Sequence, residues 1–252
     1  MTHASTTLSS ICWNIHRGRG EDGVVDAERT ANVLCDEVLL PDTQVLMLQE
    51  ADGECPPHAG VLDIKAIESR TGLCSVHTES GTRWGPDSHG FLGVIGFVHP
   101  SVAVERVSVV DMPGHCHRGA VVMDLSRAGC QFRFVGMHLS LTQVLRAVQL
   151  RTLGQYLFRQ PARPTVLCGD LNEWRPWGGM ALSKFVLGDR YAGPAPATFP
   201  VKRLWCRWIA SSPQAGRGLP LPPSSTGRAF ARRPTIARLR LRSLLKVKDT
   251  TS

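Results

Sequence analysis

The sequence predicts an α/β sandwich, and three features of its 252 residues support that prediction. Short apolar runs typical of buried strands alternate with stretches in which apolar residues recur at helical spacing. Two neighbouring runs are separated by a short Arg-Ala-Gly turn, as in a β-hairpin. Hairpin strands mixed with crossover helices are typical of layered α/β domains. Because the chain is 42% hydrophobic but only 6% aromatic, aliphatic side chains have to dominate its core.

The predicted elements follow one another along residues 10–187. In the first half, Asp26 caps a helix that has Glu28 in its first turn and ends before Pro41-Asp42. In the second half, a long stretch has apolar residues at helical spacing and precedes a buried strand. The predicted strands span residues 10–15, 44–49, 91–98, 102–110, 120–125, 131–139 and 165–168. The predicted helices span residues 27–40, 64–70, 141–158 and 179–187.

The C-terminal fifth of the chain has a different composition. Residues 203–252 contain nine Arg, two Lys and one Asp, a net charge of +10 within a total of +8. Residues 1–202 therefore carry −2, so the basic character of the chain indicates nothing about what this part binds. We predict a folded domain over residues 1–202 and an Arg/Pro-rich tail over residues 203–252 that is disordered or aberrant.

The N-terminal residues and the hydropathy pattern predict where the protein acts. The first ten residues are polar and lack the apolar core of a secretory signal. No apolar run is long enough to span a bilayer. We therefore expect a cytoplasmic protein without a transmembrane segment, and we expect it to be a monomer.

Polar side chains stand where four apolar strands of the predicted sandwich end. Asn14 ends the first strand, Glu50 the second and His138 a later one, while Asp170 and Asn172 follow the last. Hard oxygen ligands on separate strands suit Mg²⁺, which binds few carboxylates and keeps several waters. A histidine in such a group can donate a hydrogen bond to a phosphate oxygen or protonate a leaving group.

Each of these residues also has a purely structural interpretation. A single Asn or Glu after a strand most often caps a turn, and a single His is most often structural. Asp170 with Asn172 is also compatible with an ordinary turn. Four such strand ends in one chain, however, favour a common site.

The motifs around these residues resemble those of one superfamily. The segments W-N-I-H, L-Q-E, M-H-L-S and G-D-L-N-E-W occur in the order and rough spacing of the endonuclease/exonuclease/phosphatase superfamily. The resemblance covers residues 10–200 and is strongest to small stand-alone bacterial members. Those members carry N-I-H-x-G-x-G, P-G-H-x-x-R-G and T-F-P, which match residues 14–20, 113–119 and 198–200 here.

The resemblance implies a fold and a cofactor. The fold is a four-layer sandwich in which two mixed β-sheets pack face to face between outer helices. The cofactor is Mg²⁺, or Mn²⁺ in its place, with Glu50 as the main ligand and Asn14 beside it.

The resemblance also implies roles for other residues. Asp170 orients or deprotonates the attacking water, Asn172 and His138 contact the scissile phosphate, and Arg118 lies near the substrate phosphate. The implied reaction is in-line attack of an activated water on phosphorus.

The chain departs from the family pattern at two places. The family motif H-x-G-N, whose Asn faces the phosphate, is replaced by residues 89–93, His-Gly-Phe-Leu-Gly. The family also ends with an L-D-R-I strand and a final S-D-H motif, and neither follows Thr198 in this chain. The expected phosphate-binding histidine and its aspartate partner are therefore missing from the sequence.

A frameshift explains the missing ending. When residues 207–210, Arg-Trp-Ile-Ala, are read from the third base of each codon, the second codon must encode Asp and the set can spell Leu-Asp-Arg-Ile. The same offset over residues 234–237, Pro-Thr-Ile-Ala, can spell Asp-His-Arg. We therefore predict that the tail is read out of frame and that this form is nearly inactive.

Three functional hypotheses remain open at this stage. The leading one is a metal-dependent phosphodiesterase, nuclease or phosphatase acting on nucleic acid, phospholipid or inositol phosphate. The near-neutral body weakens the case for DNA, because backbone binding depends on Lys and Arg contacts. A second hypothesis is a non-catalytic binding protein on the same scaffold, and a third is an RNA-associated protein that uses the Arg-rich tail.

Overall fold

The structure, a computed structural model, describes residues 7–114, 118–173, 180–189, 191, 209–211 and 235–240. Within these ranges the chain forms ten strands and four α-helices. The strands are β1 (Thr7–Asn14), β2 (Thr43–Gln49), β3 (Cys74–Ser75), β4 (Ile95–Val98), β5 (Ala103–Met112), β6 (Arg118–Arg127), β7 (Cys130–His138), β8 (Thr165–Asp170), β9 (Ile209–Ser211) and β10 (Thr235–Arg240). The helices are α1 (Ala27–Val33), α2 (Ile64–Thr71), α3 (Gln143–Phe158) and α4 (Lys184–Leu187).

The strands form two mixed sheets. The first has the order β10-β1-β2-β4-β3, and the second has the order β5-β6-β7-β8-β9. Each sheet contains one parallel pair, β1 with β2 and β7 with β8, among otherwise antiparallel neighbours. The predicted mixture of hairpin and crossover connections is confirmed.

Three apolar clusters separate four layers of structure. The cluster between the two sheets contains Met47, Phe134 and Cys168. A second cluster covers the outer face of the second sheet with the buried side of α3, and a third covers the first sheet with α1 and α2. Every residue of β2 is buried, because sheet and helix cover its two faces. The predicted four-layer sandwich is confirmed.

The N-terminal caps of the first two helices follow from the sequence. The side chain of Asp26 accepts a hydrogen bond from the backbone N–H of Arg29 at 2.8 Å, as predicted for the start of α1. Asp63 caps α2 in the same way through Ala66, at 3.0 Å. Beyond Val33 the first helix widens into a π-helical turn, Leu34–Val38, which accounts for the longer helix expected from the periodicity.

Two predicted elements are shorter in the structure. The strand expected over residues 91–98 begins at Ile95, because Phe91 and Val94 exchange backbone hydrogen bonds across a turn that contains Leu92 at φ 52°. The helix expected over residues 179–187 is limited to Lys184–Leu187, and residue 179 lies outside the described residues. In both cases a turn interrupts an apolar pattern whose length alone suggested one element.

Two segments of the tail are strands, although the composition predicted no regular structure there. Thr235–Arg240 pairs antiparallel with β1, and Ile209–Ser211 pairs antiparallel with β8. Both lie at sheet edges, where a segment can add to an existing strand through backbone hydrogen bonds. The boundary between residues 202 and 203 stays a prediction.

The sequence predicts no transmembrane segment, and the helices of the structure can be compared with that prediction. In the part of the chain that the structure describes, no helix combines the length and apolar character needed to cross a bilayer.

Candidate functional site

The register of the two parallel pairs brings four strand ends to one rim of the sandwich. Asn14 at the end of β1 lies beside Gln49 at the end of β2, and Glu50 follows directly. His138 at the end of β7 lies beside Asp170 at the end of β8. The carboxyl ends of parallel strands meet at the same edge of a sheet, which is where open α/β folds bind ligands.

A glycine allows β8 to present its aspartate at this rim. Gly169 has φ 138°, a conformation that L side chains rarely adopt, and a Cβ added there would collide with the carbonyl oxygen of Met137. The close approach of β7 and β8 therefore requires glycine immediately before Asp170.

Asn14 joins the two carboxylates of the site. Its Nδ2 atom donates to Glu50 Oε1 and to Asp170 Oδ2, each at 2.9 Å. Its Oδ1 atom accepts from the backbone N–H of His16 at 2.9 Å, so the orientation of the amide is fixed by three contacts. Asn14 and Glu50 are each 8% exposed, which places this network below the protein surface.

His138 and Asn172 complete the group from the second sheet. The Nε2 atom of His138 lies 3.9 Å from Glu50 Oε1 and 3.8 Å from Asp170 Oδ2. The backbone N–H of Asn172 donates to Asp170 Oδ1 at 3.2 Å, and its side chain donates to the carbonyl of Leu139 at 2.7 Å. Asn172 thus ties the loop after β8 to the end of β7 and fixes the Asp170 carboxylate.

Two side chains to which the sequence assigned no role also reach Glu50. Arg17 Nη1 donates to Glu50 Oε2 at 3.0 Å, and His16 Nδ1 lies 3.3 Å from the same oxygen. His16, Arg17, Glu50 and Asn172 all have positive φ, between 47° and 55°. Non-glycine residues in this left-handed region store strain, which concentrates at functional sites.

A pocket of about 200 Å³ opens beside this rim. Glu50 and His138 of the rim line it. Its remaining wall is lined by Arg17, Asp52, Gly53, Glu54, His58, Trp84, Leu92, Gly93 and Arg118. Its size suits a small group or the end of a longer substrate.

The turn that replaces the family motif H-x-G-N is anchored to the pocket wall. The backbone N–H groups of His89 and Gly90 donate to the carboxylate of Asp52 at 3.0 and 3.2 Å. Burial raises the pKa of Asp52, and these backbone hydrogen bonds act in the opposite direction. The Asp52 carboxylate therefore serves to hold residues 89–93, of which Leu92 and Gly93 line the pocket.

The donor set fits a hard divalent cation held by few protein ligands. Glu50 and Asp170 supply carboxylate oxygens that share one Asn14 nitrogen, and the pocket leaves the site open on one side. Mg²⁺ binds in this way, through one or two carboxylates together with waters and substrate phosphate. Within the described residues, no group of three or more His, Cys, Asp or Glu side chains is arranged so that it could hold a metal ion by itself, so a cation here would depend on one or two carboxylates together with waters and substrate.

The six residues predicted for the site differ in how the structure uses them. It brings together Asn14, Glu50, His138 and Asp170, and it places Arg118 on the pocket wall. The amide oxygen of Asn14 accepts a hydrogen bond from the backbone N–H of His16. Asn14 therefore contributes to the site through its amide nitrogen, which donates to both Glu50 and Asp170. Residues 115–117 of the motif P-G-H-C-H-R-G lie outside the described residues.

The residues that sequence reasoning missed lie in loops. His16 and Arg17 belong to the quoted N-I-H-R-G-R-G motif, which was the signal available for them. His58 and Trp84 belong to loops without any motif, and only the fold brings them to the pocket.

Comparison with known proteins identifies the fold. No protein-family model matches the chain, and no curated protein sequence matches it significantly. A mannosyl-6-phosphatase from Bacteroides thetaiotaomicron is similar in structure, with a TM-score of 0.61 and 15% identity over 92% of this chain and 99% of that one. TDP2 from D. rerio, complexed with a single-strand DNA product, has a TM-score of 0.58 and 17% identity over 84% and 86%.

A third similar structure carries the superfamily's name. It is an endonuclease/exonuclease/phosphatase family protein from Bacteroides thetaiotaomicron, with a TM-score of 0.55 and 15% identity over 82% of this chain and 83% of that one. The chain therefore has the fold of the endonuclease/exonuclease/phosphatase superfamily.

Proposed function

We propose that the protein is a Mg²⁺-dependent phosphoester hydrolase whose active site is the strand-end rim. The observation that carries the proposal is the convergence of Glu50 and Asp170 on one Asn14 nitrogen, with His138 within 4 Å of both carboxylates. Two carboxylates, one buried and one partly buried, beside a histidine and an open pocket are the groups that metal-assisted hydrolysis requires. The fold is shared with a protein named as a phosphatase, which supports the same class of reaction.

Glu50, Asn14 and Asp170 have separate roles in the proposed hydrolysis. Glu50 would hold the cation, and Asn14 keeps its carboxylate in place through the 2.9 Å contact with Oε1. Asp170, fixed by donors on both oxygens, accepts the proton of the attacking water and aligns that water with phosphorus. When bound, Mg²⁺ supplies neutralisation of charge on the non-bridging and leaving oxygens.

His138 and Arg118 act on the phosphate. His138 is 3% exposed and faces the pocket between the two carboxylates, where its ring N–H donates to a phosphate oxygen. Arg118 lines the same pocket and offers a planar donor fork to the phosphate. Asn172 keeps the Asp170 carboxylate oriented and contacts the phosphate once substrate is bound.

The substrate is a phosphoester small enough at its reacting end to enter a pocket of about 200 Å³. The fold alone does not choose between candidates, because it is shared by a mannosyl-6-phosphatase and by a protein complexed with single-strand DNA. A terminal phosphate of a nucleic acid and the head group of a phospholipid or inositol phosphate all satisfy the size limit.

A second candidate function is a phosphoester-binding protein without turnover. Two observations favour it: the final Asp-His motif is missing, and both oxygens of Glu50 already accept from nitrogen donors. In that case the pocket would bind phosphate through Arg118 and His138 and release it unchanged.

One assay separates the two candidates. Hydrolysis of bis(p-nitrophenyl) phosphate and p-nitrophenyl phosphate is measured with Mg²⁺, with Mn²⁺ and with EDTA. The hydrolase proposal expects turnover that EDTA abolishes and that Glu50→Ala lowers. Glu37→Gln, which removes an exposed acid outside the motifs and the pocket, should change nothing. Phosphate binding without metal-stimulated turnover, both in this chain and in a chain restored to the predicted reading frame, refutes the hydrolase and supports the binding protein.

A further inference from the structure

Arg17 connects two acids of very different exposure across the pocket. Its Nη1 atom donates to Glu50 Oε2 at 3.0 Å, and its Nη2 atom lies 3.5 Å from Glu54 Oε2. The Glu50 side chain is 8% exposed and the Glu54 side chain is 69% exposed. The guanidinium therefore reaches from the buried carboxylate to the solvent-facing wall, and it has a second anion available if it leaves the first.

The backbone directs Arg17 at this carboxylate. His16 and Arg17 both have φ 52°, and their short helical turn, His16–Gly18, folds back so that the Arg17 backbone N–H donates to the Glu50 carbonyl at 3.1 Å. Two consecutive left-handed non-glycine residues cost free energy and persist only where surrounding contacts hold them. The strained turn thus places a cation on the oxygen that the proposed metal would use.

Two arginines that line the pocket keep unused donors. The Nε–H groups of Arg17 and of Arg118 are buried and have no hydrogen-bond acceptor among the described residues. A buried donor without a partner is uncommon and costs free energy. Both donors lie on side chains of one pocket that also contains His138, so a phosphate placed there would supply the missing acceptors.

We propose that Arg17 exchanges its Glu50 carboxylate for the substrate phosphate and thereby couples cation binding to phosphate binding. A cation at Glu50 displaces the guanidinium from Oε2, and Glu54 keeps it in the pocket beside Arg118. The released donor fork then pairs with two phosphate oxygens, the geometry in which arginine binds phosphate best. This inference rests on the proposed metal role of Glu50.

If Arg17 exchanges partners in this way, replacing it should change the affinities for Mg²⁺ and for phosphate in opposite directions. Arg17→Gln removes a competing positive charge from Glu50, so Mg²⁺ should bind about fivefold more tightly. The same change removes a phosphate ligand, so inorganic phosphate should bind about tenfold more weakly in the presence of Mg²⁺. Because coupling between two ligands is reciprocal, phosphate should tighten Mg²⁺ binding in the wild-type chain and lose that effect in the variant.

Two further variants isolate the contact. Arg19→Gln removes the same charge two residues away, from an exposed side chain that bonds the Gly23 carbonyl, and should leave both affinities unchanged. Glu54→Gln removes the second partner of Arg17, so the guanidinium stays on Glu50 and Mg²⁺ should bind about twofold more weakly.

The test is calorimetric titration of the full chain with Mg²⁺ and with inorganic phosphate, each in the presence and absence of the other. Glu50→Gln is titrated alongside. Tighter Mg²⁺ binding with weaker phosphate binding in Arg17→Gln, and in that variant alone, supports the exchange. Glu50-dependent Mg²⁺ binding that Arg17→Gln leaves unchanged or weakens overturns the exchange alone, whereas a wild-type chain without Glu50-dependent Mg²⁺ binding overturns the proposed metal site as well.

Discussion

The strand-end rim and the tail strands belong to the same two sheets but are specified in different ways. β1, β2, β7 and β8 are buried and end in side chains that bond one another across the sandwich. β9 and β10 lie at the outer edges of those sheets and pair with β8 and β1 through their backbones. Contacts between side chains connect the strands at the rim, whereas β9 and β10 join the sheets through backbone pairing, which tolerates many sequences.

The comparison has a consequence for function. The rim and the pocket beside it contain every residue to which we assign a chemical role, and β9 and β10 of the tail pair with one strand of each sheet. Changes at the rim should therefore act on turnover at constant stability, and changes in the tail should act on stability and association first.

The largest expected effect is at Asp170. In an active form of the protein, Asp170→Ala removes the group that aligns and deprotonates the attacking water. It should lower kcat by roughly 10²-fold or more while the unfolding midpoint stays close to that of the parent chain. The assay is Mg²⁺-dependent hydrolysis of bis(p-nitrophenyl) phosphate, with thermal unfolding as the control for folding. Unchanged rates in Asp170→Ala would refute the assigned role.

The second expected effect is a gain from a shifted reading frame after residue 202. The two codon runs that can spell Leu-Asp-Arg-Ile and Asp-His lie at residues 207–210 and 234–237, and they overlap the tail strands β9 and β10. A chain restored to that frame regains an Asp-His pair and should hydrolyse phosphoesters about tenfold faster or more. A gene whose third-base reading lacks both motifs, or a restored chain with no gain, contradicts the idea.

Sequence patterns predicted the rim because polar side chains there directly follow buried apolar strands. The fully buried run of β2 and the strand before Asp170 are recognisable as apolar segments, and their polar ends stand out against them. The motif pointed to the neighbourhood of Arg17, but its contact with Glu50 could not be predicted, because the direction of the side chain depends on left-handed backbone at residues 16 and 17. β9 and β10 could not be predicted either, because their partners are more than 40 residues away along the chain.

The third prediction is that the tail stabilises the domain, because β9 and β10 pair with β8 and β1 at the edges of the two sheets. Removing residues 203–252 exposes the backbone of β1 and β8, which are apolar and buried strands. We expect the unfolding midpoint to fall by about 5 °C, equivalent to roughly 2 kcal/mol, and the truncated chain to associate at high concentration. Calorimetry and light scattering measure both quantities; an unchanged midpoint with a monomeric chain would show that edge pairing by the tail contributes nothing.

The fourth effect is of about the same size as the third and concerns the pH dependence of stability at a buried histidine outside both regions. His77 is buried, its Nδ1 lies 2.7 Å from the Thr82 carbonyl, and its Nε2 accepts from the Gly96 backbone. Burial lowers its pKa from 6.5 to about 4. Since the unfolded chain takes up a proton below pH 6.5 and the folded chain resists it down to about pH 4, stability is complete above pH 6.5 and is lost as the pH falls through this window.

The size of the His77 effect is measurable. At pH 5 the loss attributable to His77 is about 2 kcal/mol relative to pH 7.5. Denaturant unfolding of the wild type and of His77→Gln at both pH values measures how much the free energy of unfolding changes with pH in each chain. Arginine side chains stay protonated in this range, so those of the tail cannot produce such a change. An identical pH dependence in the two chains would exclude His77 as the titrating group.

The central claim is that the strand-end rim holds a divalent cation through Glu50. Anomalous X-ray scattering from crystals of the full chain grown with Mn²⁺ tests it most directly, because Mn²⁺ can stand in for Mg²⁺ and its position is located independently of any assay. We predict one strong anomalous peak within bonding distance of the Glu50 carboxylate and facing the pocket between Asp170 and His138, and no such peak in Glu50→Gln. Mn²⁺ bound elsewhere, with the Glu50 carboxylate still paired to Arg17 at saturating Mn²⁺, would contradict the account.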